Sequence, residues 1–315
     1  MPNPLVQKTI RSRPTRAASP PGAVRFANRC LPCLLFLFLA CSGRRTGLLA
    51  QPAPPPPLTP AEAQALVQQV LQTEIAATQD SSHPMQYRLR KTSPRLSTTK
   101  LIVETRDGDV ARLVAINNGS LGPEDEQKEA SRLQALLNDP SLQRHREQQE
   151  LSDADKARKI IHALPGAFFY SFVGIAETPQ GPSYRLAFEP NPAFDPQDVE
   201  AQALKAMAGE LWIDVTQHRV THLEGKRLHD VDYLGGILGK LEQGGTLEME
   251  QADVGNHQWR TTKMVLIMNA RLLWKTWKLD TTLEMSEYAP VASGMTYQQA
   301  IRMLESGSSN KSGGK

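Results

Sequence analysis

Apolar residues occupy every second position through much of the second half of the chain. Between Gly209 and Met285 this alternation recurs in successive runs, separated by glycine-rich or asparagine-containing segments. In the first run, Leu211, Ile213 and Val215 are the apolar members. A period of two places alternate side chains on opposite faces of a strand. The region is therefore predicted to form three antiparallel hairpins in a row, with one apolar face and one polar face.

The same period occurs in the first half of the chain, where it predicts further strands. Met85 to Arg90, Leu101 to Glu104 and Val110 to Ile116 are three such runs. Phe168 to Ile175 is a denser apolar run, and Tyr184 to Phe188 alternates again. The total is about nine to eleven strands, and an open sheet of that size tends to curl. The predicted fold class is α+β, an unclosed antiparallel β-barrel (half-barrel) with helices covering its concave face.

Three segments have helical rather than strand periodicity. Thr59-Pro60-Ala61-Glu62 combines a cap, a first-turn proline and a glutamate three residues after the cap, which is typical of a helix start. The segment from Pro123 to Leu164 is polar and helical, and breaks at Asn138-Asp139-Pro140 and Ser152 divide it into three predicted parts. Thr296 to Glu305 predicts a last capped helix, which a disordered Ser/Gly tail follows.

The first 50 residues differ in charge from the rest of the chain. They hold 8 of the 36 basic residues and no Asp or Glu, which leaves 28 basic and 33 acidic residues elsewhere. The basic excess therefore belongs to this leader and does not indicate nucleic-acid binding by the folded part. Leu31 to Ala40 is a short apolar run behind a basic flank, the pattern of an export signal. It is too short to span a bilayer, which takes about 20 residues.

The processing of the leader has two alternatives. Phe38 to Cys41 resembles a lipoprotein box, in which Cys41 becomes the lipidated first residue. The alternative is cleavage after Ala50, at the start of the Pro-rich linker. Translation from near Val24 is a further alternative, because the leader is longer than a usual signal. All three cysteines lie in this leader, so the rest of the chain has no disulfide framework and no thiol chemistry.

The sequence predicts no catalytic, cofactor or metal site. His229, Asp230 and Asp232 lie together, but their spacing matches no metal signature and favours a polar loop. Glu248 and Glu250 lie two apart on one strand face, where a solvent-facing row is the simpler interpretation. No Gly-x-Ser-x-Gly nucleophile motif occurs. The chain is therefore predicted not to be an enzyme.

The second half of the chain also resembles a known family. The resemblance is carried by "GELWIDVTQHRVTHLEGKR", a glycine-rich "YLGGILGKLEQGGTLEME", a W-x-x-T-K-M segment and a tryptophan-containing last strand. These segments resemble the bacterial outer-membrane lipoprotein-sorting (LolA/LolB-like) superfamily, most of all its uncharacterised members. The resemblance implies an unclosed barrel with a helical lid over an apolar cavity. The predicted organisation is a leader at 1–50, a linker at 51–57, the LolA/LolB-like lipid-binding domain at 58–290, and a short helix and tail at 291–315.

Alternation alone selects the side chains expected to line such a cavity. They are Tyr87, Leu89, Leu101, Val103, Phe168, Tyr170, Phe172, Leu186, Phe188, Leu247 and Met249. A second apolar set lies among glycines, which leave the backbone mobile, and is predicted either to close over a ligand as a flap or to pack on the core as a long hairpin. This set comprises Tyr233, Leu234, Ile237, Leu238 and Leu241.

Two functions fit these patterns. The first is an exported, non-enzymatic carrier or binder of lipid or lipoprotein acyl chains in the bacterial cell envelope, since each CH₂ moved from water into an apolar cavity gains about 0.8 kcal/mol. The second is an envelope-anchored structural or interaction module without a ligand cavity. The expected location is the periplasm or the outer membrane, and the expected partners are acyl chains and the membrane surface. No cofactor or nucleic acid is expected, and the chain is expected to be a monomer.

Overall fold

The computed structural model describes residues 55–233, 239–272 and 275–312, which form thirteen β-strands, four α-helices and one 3₁₀ helix. The helices are α1 (Pro60–Gln79), α2 (Pro123–Asn138), α3 (Pro140–Ala167) and α4 (Tyr297–Ser312), and the 3₁₀ helix is Glu200–Ala206. The strands are β1 (Met85–Ser93), β2 (Leu96–Val103), β3 (Val110–Ile116), β4 (Gly119–Ser120), β5 (Phe168–Thr178), β6 (Gly181–Pro190), β7 (Met207–Asp214), β8 (Val220–Arg227), β9 (Val231–Tyr233), β10 (Gly239–Leu241), β11 (Thr246–Asp253), β12 (Trp259–Leu272) and β13 (Lys275–Pro290).

All the described strands belong to one antiparallel sheet. Their order is β4-β3-β2-β1-β13-β12-β11-β8-β7-β6-β5, and the short β10 pairs with β12 and with β9. Because β1 pairs with β13, the first and last strands meet in the interior of the sheet. The end strands β4 and β5 do not pair with each other in the described part of the chain, so the sheet is not closed into a barrel. The predicted α+β half-barrel is confirmed, with more strands than expected because β9 and β10 flank the glycine-rich segment.

The strand register assigns each side chain to one of two faces. Leu186, Leu211, Leu223, Met249 and Met264 are successive cross-strand neighbours on β6, β7, β8, β11 and β12. We call the face that carries them the inner face, and the opposite one the outer face. Since paired residues share a face and successive residues alternate, this row fixes the faces of the neighbouring strands.

α1 covers the inner face over β5 to β8. It begins with the predicted capping box, in which Thr59 Oγ1 accepts from the Glu62 N–H at 3.3 Å and Glu62 Oε2 accepts from the Thr59 N–H at 2.8 Å. Its apolar stripe, which includes Val67 and Val70, is fully buried in one core cluster with these strands. Burial of each such side chain contributes about 1.5–3 kcal/mol. Packing therefore stabilises α1 more than its cap does, since a cap contributes about 1 kcal/mol.

α2 and α4 pack on the outer face at the other end of the sheet, whereas the sequence predicts helices on the concave face only. Val103 of β2 and Val110 of β3 are fully buried there with Leu133 of α2 and Ile301 of α4. The physical reason is the uninterrupted apolar run Leu101-Ile102-Val103. Three successive apolar residues make both faces of β2 apolar, so both faces have to be covered.

α3 is one continuous helix, although a break is predicted within it at Ser152. The break at Asn138-Asp139-Pro140 does separate α2 from α3, and the Asp139 carboxylate caps α3 by accepting from the Ser141 N–H at 2.9 Å. Ser152 lies exposed within α3, where its hydroxyl faces water and the helix continues past it. α4 also continues beyond its predicted end at Glu305. Of the described helices, none is long and apolar enough to cross a membrane.

Candidate functional site

Six apolar side chains form a stripe across the middle of the inner face, on β1, β11, β12 and β13. They make three cross-strand pairs, Leu89 with Met285, Leu283 with Met264, and Leu266 with Leu247. All six are half-buried, and none belongs to either helix-packed core cluster of the described residues. We call these six residues the apolar stripe. It lies between the strands that α1 covers and the strands that α2 and α4 cover.

α3 connects these two packed parts of the sheet and is held at both ends. At its first end, Gln143 Nε2 donates to the Asp107 carbonyl at 2.9 Å, and the Glu150 carboxylate accepts from the Asp109 N–H at 2.9 Å. At its second end, apolar residues around Leu164 pack against the α1 core on the inner face. Residues 151–154, between the two anchors, are exposed. A helix of 28 residues is about 42 Å long, so α3 acts as a bridge between the ends of the sheet.

Tyrosines and carboxyl groups surround the first anchor of α3. The rings of Tyr87 and Tyr288 stack with centroids 5.1 Å apart, and burial raises the pKa of both. Burial, reinforced by the negative charges of Glu150 and Glu104, raises the pKa of Asp109 to about 7. Burial also raises the pKa of Glu104. This end of the inner face is therefore polar, and one of its groups titrates near neutral pH.

Glu74 joins α1 to two strands beside the apolar stripe. Its carboxylate accepts from the Arg219 guanidinium at 2.8 and 2.9 Å and from the Val220 N–H at 3.1 Å. Gln251 Nε2 of β11 makes a longer contact at 3.5 Å. Glu74 is only 8% exposed, and the Arg219 side chain is 12% exposed. A buried, bidentate ion pair has strict geometry, so it fixes the position of α1 against β8 and β11.

The predicted lining residues fall into three groups. Tyr87, Leu89, Leu247 and Met249 lie on the inner face, within the apolar stripe or beside it. Phe168, Tyr170, Phe172, Leu186 and Phe188 share that face but pack in the α1 core. Leu101 and Val103 differ from the expectation, because they lie on the outer face with the α2 and α4 core. An alternating pattern says which residues share a face, but not which face that is.

Sequence alternation missed four members of the apolar stripe, Met264, Leu266, Leu283 and Met285. The β12 pair is hard to recognise because residues 264–268 are all apolar, so neither face of that strand is distinguished by its sequence. Their position becomes evident only from the pairing of β12 with β11 and β13.

The predicted flap lies mostly outside the described residues. Leu234, Ile237 and Leu238 fall there, as does the predicted lipidation residue Cys41. Tyr233 ends β9, where its backbone pairs with Gly239, and Leu241 ends β10, where it pairs with Ala270. The glycine-rich segment is thus flanked by two short paired strands, and its closure over a ligand stays a prediction.

The outer face of the sheet carries charged side chains, including ion pairs between β6 and β7 and between β1 and β13. Arg185 contacts Glu210 at 2.8 Å, and Arg90 contacts Glu284 at 3.1 Å. A cavity of about 670 Å³ lies on this face and is lined mainly by polar groups of β1, β12 and β13, including those of Arg90. A second cavity, of about 350 Å³, lies where the start of α1 meets the end of α3. Met285 of the apolar stripe contributes to the lining of the larger cavity, and the other five stripe residues line neither cavity. Most of the apolar stripe is therefore an open surface of the sheet.

His222, Glu248 and Glu250 bring three potential metal-binding atoms within 4.8 Å of one another on the outer face. The sequence interpretation of Glu248 and Glu250 as a solvent-facing row missed His222, which comes from the neighbouring β8. Lys263 Nζ lies 2.8 Å from Glu248 and 3.4 Å from Glu250. Its hydrogen bond lowers the pKa of Glu248. Lys263 already supplies the positive charge of this cluster, so we interpret the cluster as an ion-pair network rather than a metal site.

Comparisons with known proteins give two similar solved structures. One is a domain named for outer membrane lipoprotein sorting, from Vibrio parahaemolyticus, at 11% identity and a TM-score of 0.33 over 76% of this chain and 95% of that one. The other is a LolA-superfamily protein from Nitrosomonas europaea, at 10% identity and a TM-score of 0.26 over 73% of this chain and 94% of that one.

Both names agree with the resemblance found in the sequence. At these identities and TM-scores they say nothing about what this chain binds. No protein-family model and no curated protein matches the sequence.

Proposed function

We propose that this chain is an exported, non-enzymatic binder of lipid or lipoprotein acyl chains in the bacterial cell envelope. The observation that carries the proposal is the apolar stripe, whose six Leu and Met side chains stay half-buried outside both packed cores. In a filled core a helix would pack on these side chains, as α1 does on Leu186 and Leu211. Half-exposed apolar side chains on a single sheet face offer a surface that an apolar ligand can cover.

Acyl chains match this surface in chemistry. The six side chains of the stripe contain no titratable group and no hydrogen-bond donor, so they select a ligand by apolar area alone. Burial of each CH₂ gains about 0.8 kcal/mol. Met264 and Met285 add unbranched, adaptable side chains, which tolerate ligands of different length and shape. The same lack of titratable groups supports a binder rather than an enzyme at this surface.

The placement in the cell envelope is supported by the leader. A basic flank followed by the apolar run Leu31 to Ala40 is the pattern of an export signal. Lipidation at Cys41 and cleavage after Ala50 remain the two ways in which the mature chain would begin. The first would keep the protein on a membrane, and the second would release it.

A matched pair of substitutions on β12 tests the proposal. Met264→Lys places a charge in the apolar stripe, whereas Val265→Lys places the same charge on the outer face, one residue along. Both positions are half-buried. We expect Met264→Lys to weaken binding of a fluorescent acyl probe at least tenfold, which corresponds to about 1.4 kcal/mol, and Val265→Lys to leave it nearly unchanged.

Thermal unfolding of the same two variants separates the proposal from its alternative, a structural module with a filled core. On an open surface the Met264→Lys ammonium stays hydrated, so the unfolding midpoint changes little. In a filled core, burial of an unpaired charge would unfold the protein. A large loss of stability for Met264→Lys, together with no probe uptake by the unmodified chain, would rule out acyl binding.

A further inference from the structure

The β12–β13 hairpin extends past the strands on either side of it. The last residue pair between β1 and β13 is Thr92 with Thr282, so β13 continues from there to Lys275 without a partner on that side among the described strands. On the other side, β11 begins opposite Ile267, and only the short β10 pairs further out. The seven steps from Thr282 to Lys275 correspond to about 23 Å of strand. The hairpin therefore projects from the edge of the sheet.

Large apolar side chains are exposed on this projecting part. Trp277 is 55% exposed and Leu279 is 40% exposed. Ile267 is 38% exposed but lies on the outer face, paired with Thr246 of β11 and Asp280 of β13. Trp277 and Leu279 alternate in register with Leu283, so they lie on the inner face and extend the line of the apolar stripe outward. Exposed apolar residues that cluster in this way mark a surface that meets another apolar phase.

Basic residues lie on both faces of the same projecting part, with Lys275 on the inner face beside Trp277 and with Arg271 and Lys278 on the outer face. Arg271, Lys275 and Lys278 are all exposed, and Lys275 Nζ lies 5.0 Å from the centroid of the Trp277 ring. No Asp or Glu occurs between residues 270 and 279, although residues 51–315 carry 28 basic and 33 acidic groups. Lys240, beside Arg271 on β10, is already paired with Asp230 at 3.2 Å. The hairpin end is thus a positive, aromatic site on a protein body that is acidic as a whole.

We propose that the projecting end of the β12–β13 hairpin, formed by Arg271, Lys275, Trp277, Lys278 and Leu279, docks on an anionic lipid bilayer. Tryptophan prefers the interface between headgroups and acyl chains, where its ring is apolar and its N–H is hydrated. Each Lys or Arg close to an anionic membrane strengthens binding about fivefold. A second copy of the chain is the less suitable occupant, because two such positive ends would repel each other.

This docking goes beyond acyl binding, and it does not depend on it. A protein with a filled core would dock in the same way through the same residues. The two proposals therefore fail independently, which the measurements below exploit.

The test is amide hydrogen exchange of the full chain in the presence of lipid vesicles, measured in peptides that cover residues 267–281. A local readout is needed because the basic leader is itself able to bind anionic lipid. Vesicles of phosphatidylcholine alone are compared with vesicles that contain phosphatidylglycerol at about a third of the lipid. We expect slower exchange in the hairpin with the anionic vesicles and no change with the neutral ones.

Two variants and two matched controls make the test specific. Lys275→Gln with Lys278→Gln removes two charges, so the lipid concentration for half-maximal protection should rise roughly 30-fold. Trp277→Ser should weaken protection as well. Lys156→Gln with Lys159→Gln, on α3, where Lys156 is exposed and Lys159 half-buried, and Phe169→Ser, at a side chain 59% exposed on β5, are the controls for charge and apolar area. Both controls should behave like the unmodified chain.

Three results would overturn the docking. They are the absence of hairpin protection with anionic vesicles, an equal effect of the control pair, and hairpin protection that grows with protein concentration when no lipid is present. The last would identify a contact between copies. Circular dichroism and the unfolding midpoint show that each variant is folded. We expect the Lys275→Gln, Lys278→Gln variant to bind the acyl probe as the unmodified chain does. A chain that docks on anionic vesicles but binds no acyl probe would count against the acyl proposal alone.

Discussion

Removal of the Glu74 carboxylate tests how α1 is held beside the apolar stripe. Glu74→Ala leaves the Arg219 side chain, only 12% exposed, without its anionic partner and the Val220 N–H without its acceptor. Loss of one partner of a buried ion pair typically costs about 3–5 kcal/mol. Arg219 keeps its contact with the Trp259 ring, at 5.9 Å from the centroid, which offsets a small part of this. We therefore expect a loss near the lower limit, about 3 kcal/mol.

The assay is urea and thermal unfolding followed by far-UV circular dichroism. For a folded unit of this size each kcal/mol shifts the midpoint temperature by about 2–4 °C, so Glu74→Ala should unfold about 6–12 °C lower. The urea slope should stay unchanged, because the same surface is exposed on unfolding. Glu74→Gln keeps one acceptor oxygen but loses the charge, so its midpoint temperature should lie between those of the unmodified chain and Glu74→Ala.

The Arg185–Glu210 pair on the outer face is the matched control. It is also bidentate, but its side chains are 37% and 22% exposed, so water screens the charges. Glu210→Ala should cost about 1 kcal/mol or less, including its contact with Trp212. Equal losses at Glu74 and Glu210 would refute the reasoning, since burial would then not determine what an ion pair contributes in this fold.

Two further predictions concern the first anchor of α3 and the β7–β8 contact. The folded state holds the Asp109 proton up to a pKa of about 7, whereas an unfolded chain releases it near pH 4, so stability should fall as pH rises from about 4 to about 7. Asp109→Asn should flatten this pH dependence in urea titrations and should be more stable than the unmodified chain at pH 8. An unchanged pH dependence would contradict the burial of Asp109. Gly209→Ala should cost about 3 kcal/mol in chemical unfolding, because its Cβ would lie 1.9 Å from the Glu224 carbonyl oxygen. Gly225→Ala is the control and should cost less, since its Cβ would come too close only to the flexible Met207 Cε, at 2.8 Å, and would lie at an ordinary contact distance of 3.5 Å from Phe188 Cζ.

Features that depend on nearby residues could be predicted from the sequence. The capping box of Thr59 and Glu62 needs only four residues, and the structure has both of its hydrogen bonds. The β7 strand follows from the alternation at Leu211 and Ile213, and both side chains are buried as that pattern requires. The unclosed sheet follows from the number of such strands and from the turns between them. These signals are local, so later contacts reinforce them rather than override them.

Features that depend on long-range pairing could not be predicted. Leu89 and Met285 come from the first and last strands, and no local pattern states that these strands are neighbours. The outer position of Leu101 and Val103 depends on α4, which follows every strand in the sequence. The projection of the β12–β13 hairpin likewise depends on where β1 ends. The site therefore emerges from the order of strands, whereas the individual strands are recognisable alone.

The two anchors of α3 are unequal, and this inequality bears on access to the apolar stripe. The first anchor consists of hydrogen bonds to the Asp107 and Asp109 backbone, each contributing about 0.5–1.5 kcal/mol. The second packs half-buried apolar side chains around Leu164 against the α1 core, where each CH₂ removed from water contributes about 0.8 kcal/mol. We expect the bridge to separate first at its polar end, because water can replace the hydrogen bonds of that anchor but not the apolar contacts of the other. Because β13 carries Trp277, Leu279 and Leu283 on one face, a ligand from a docked membrane would meet the stripe without crossing the backbone of the sheet.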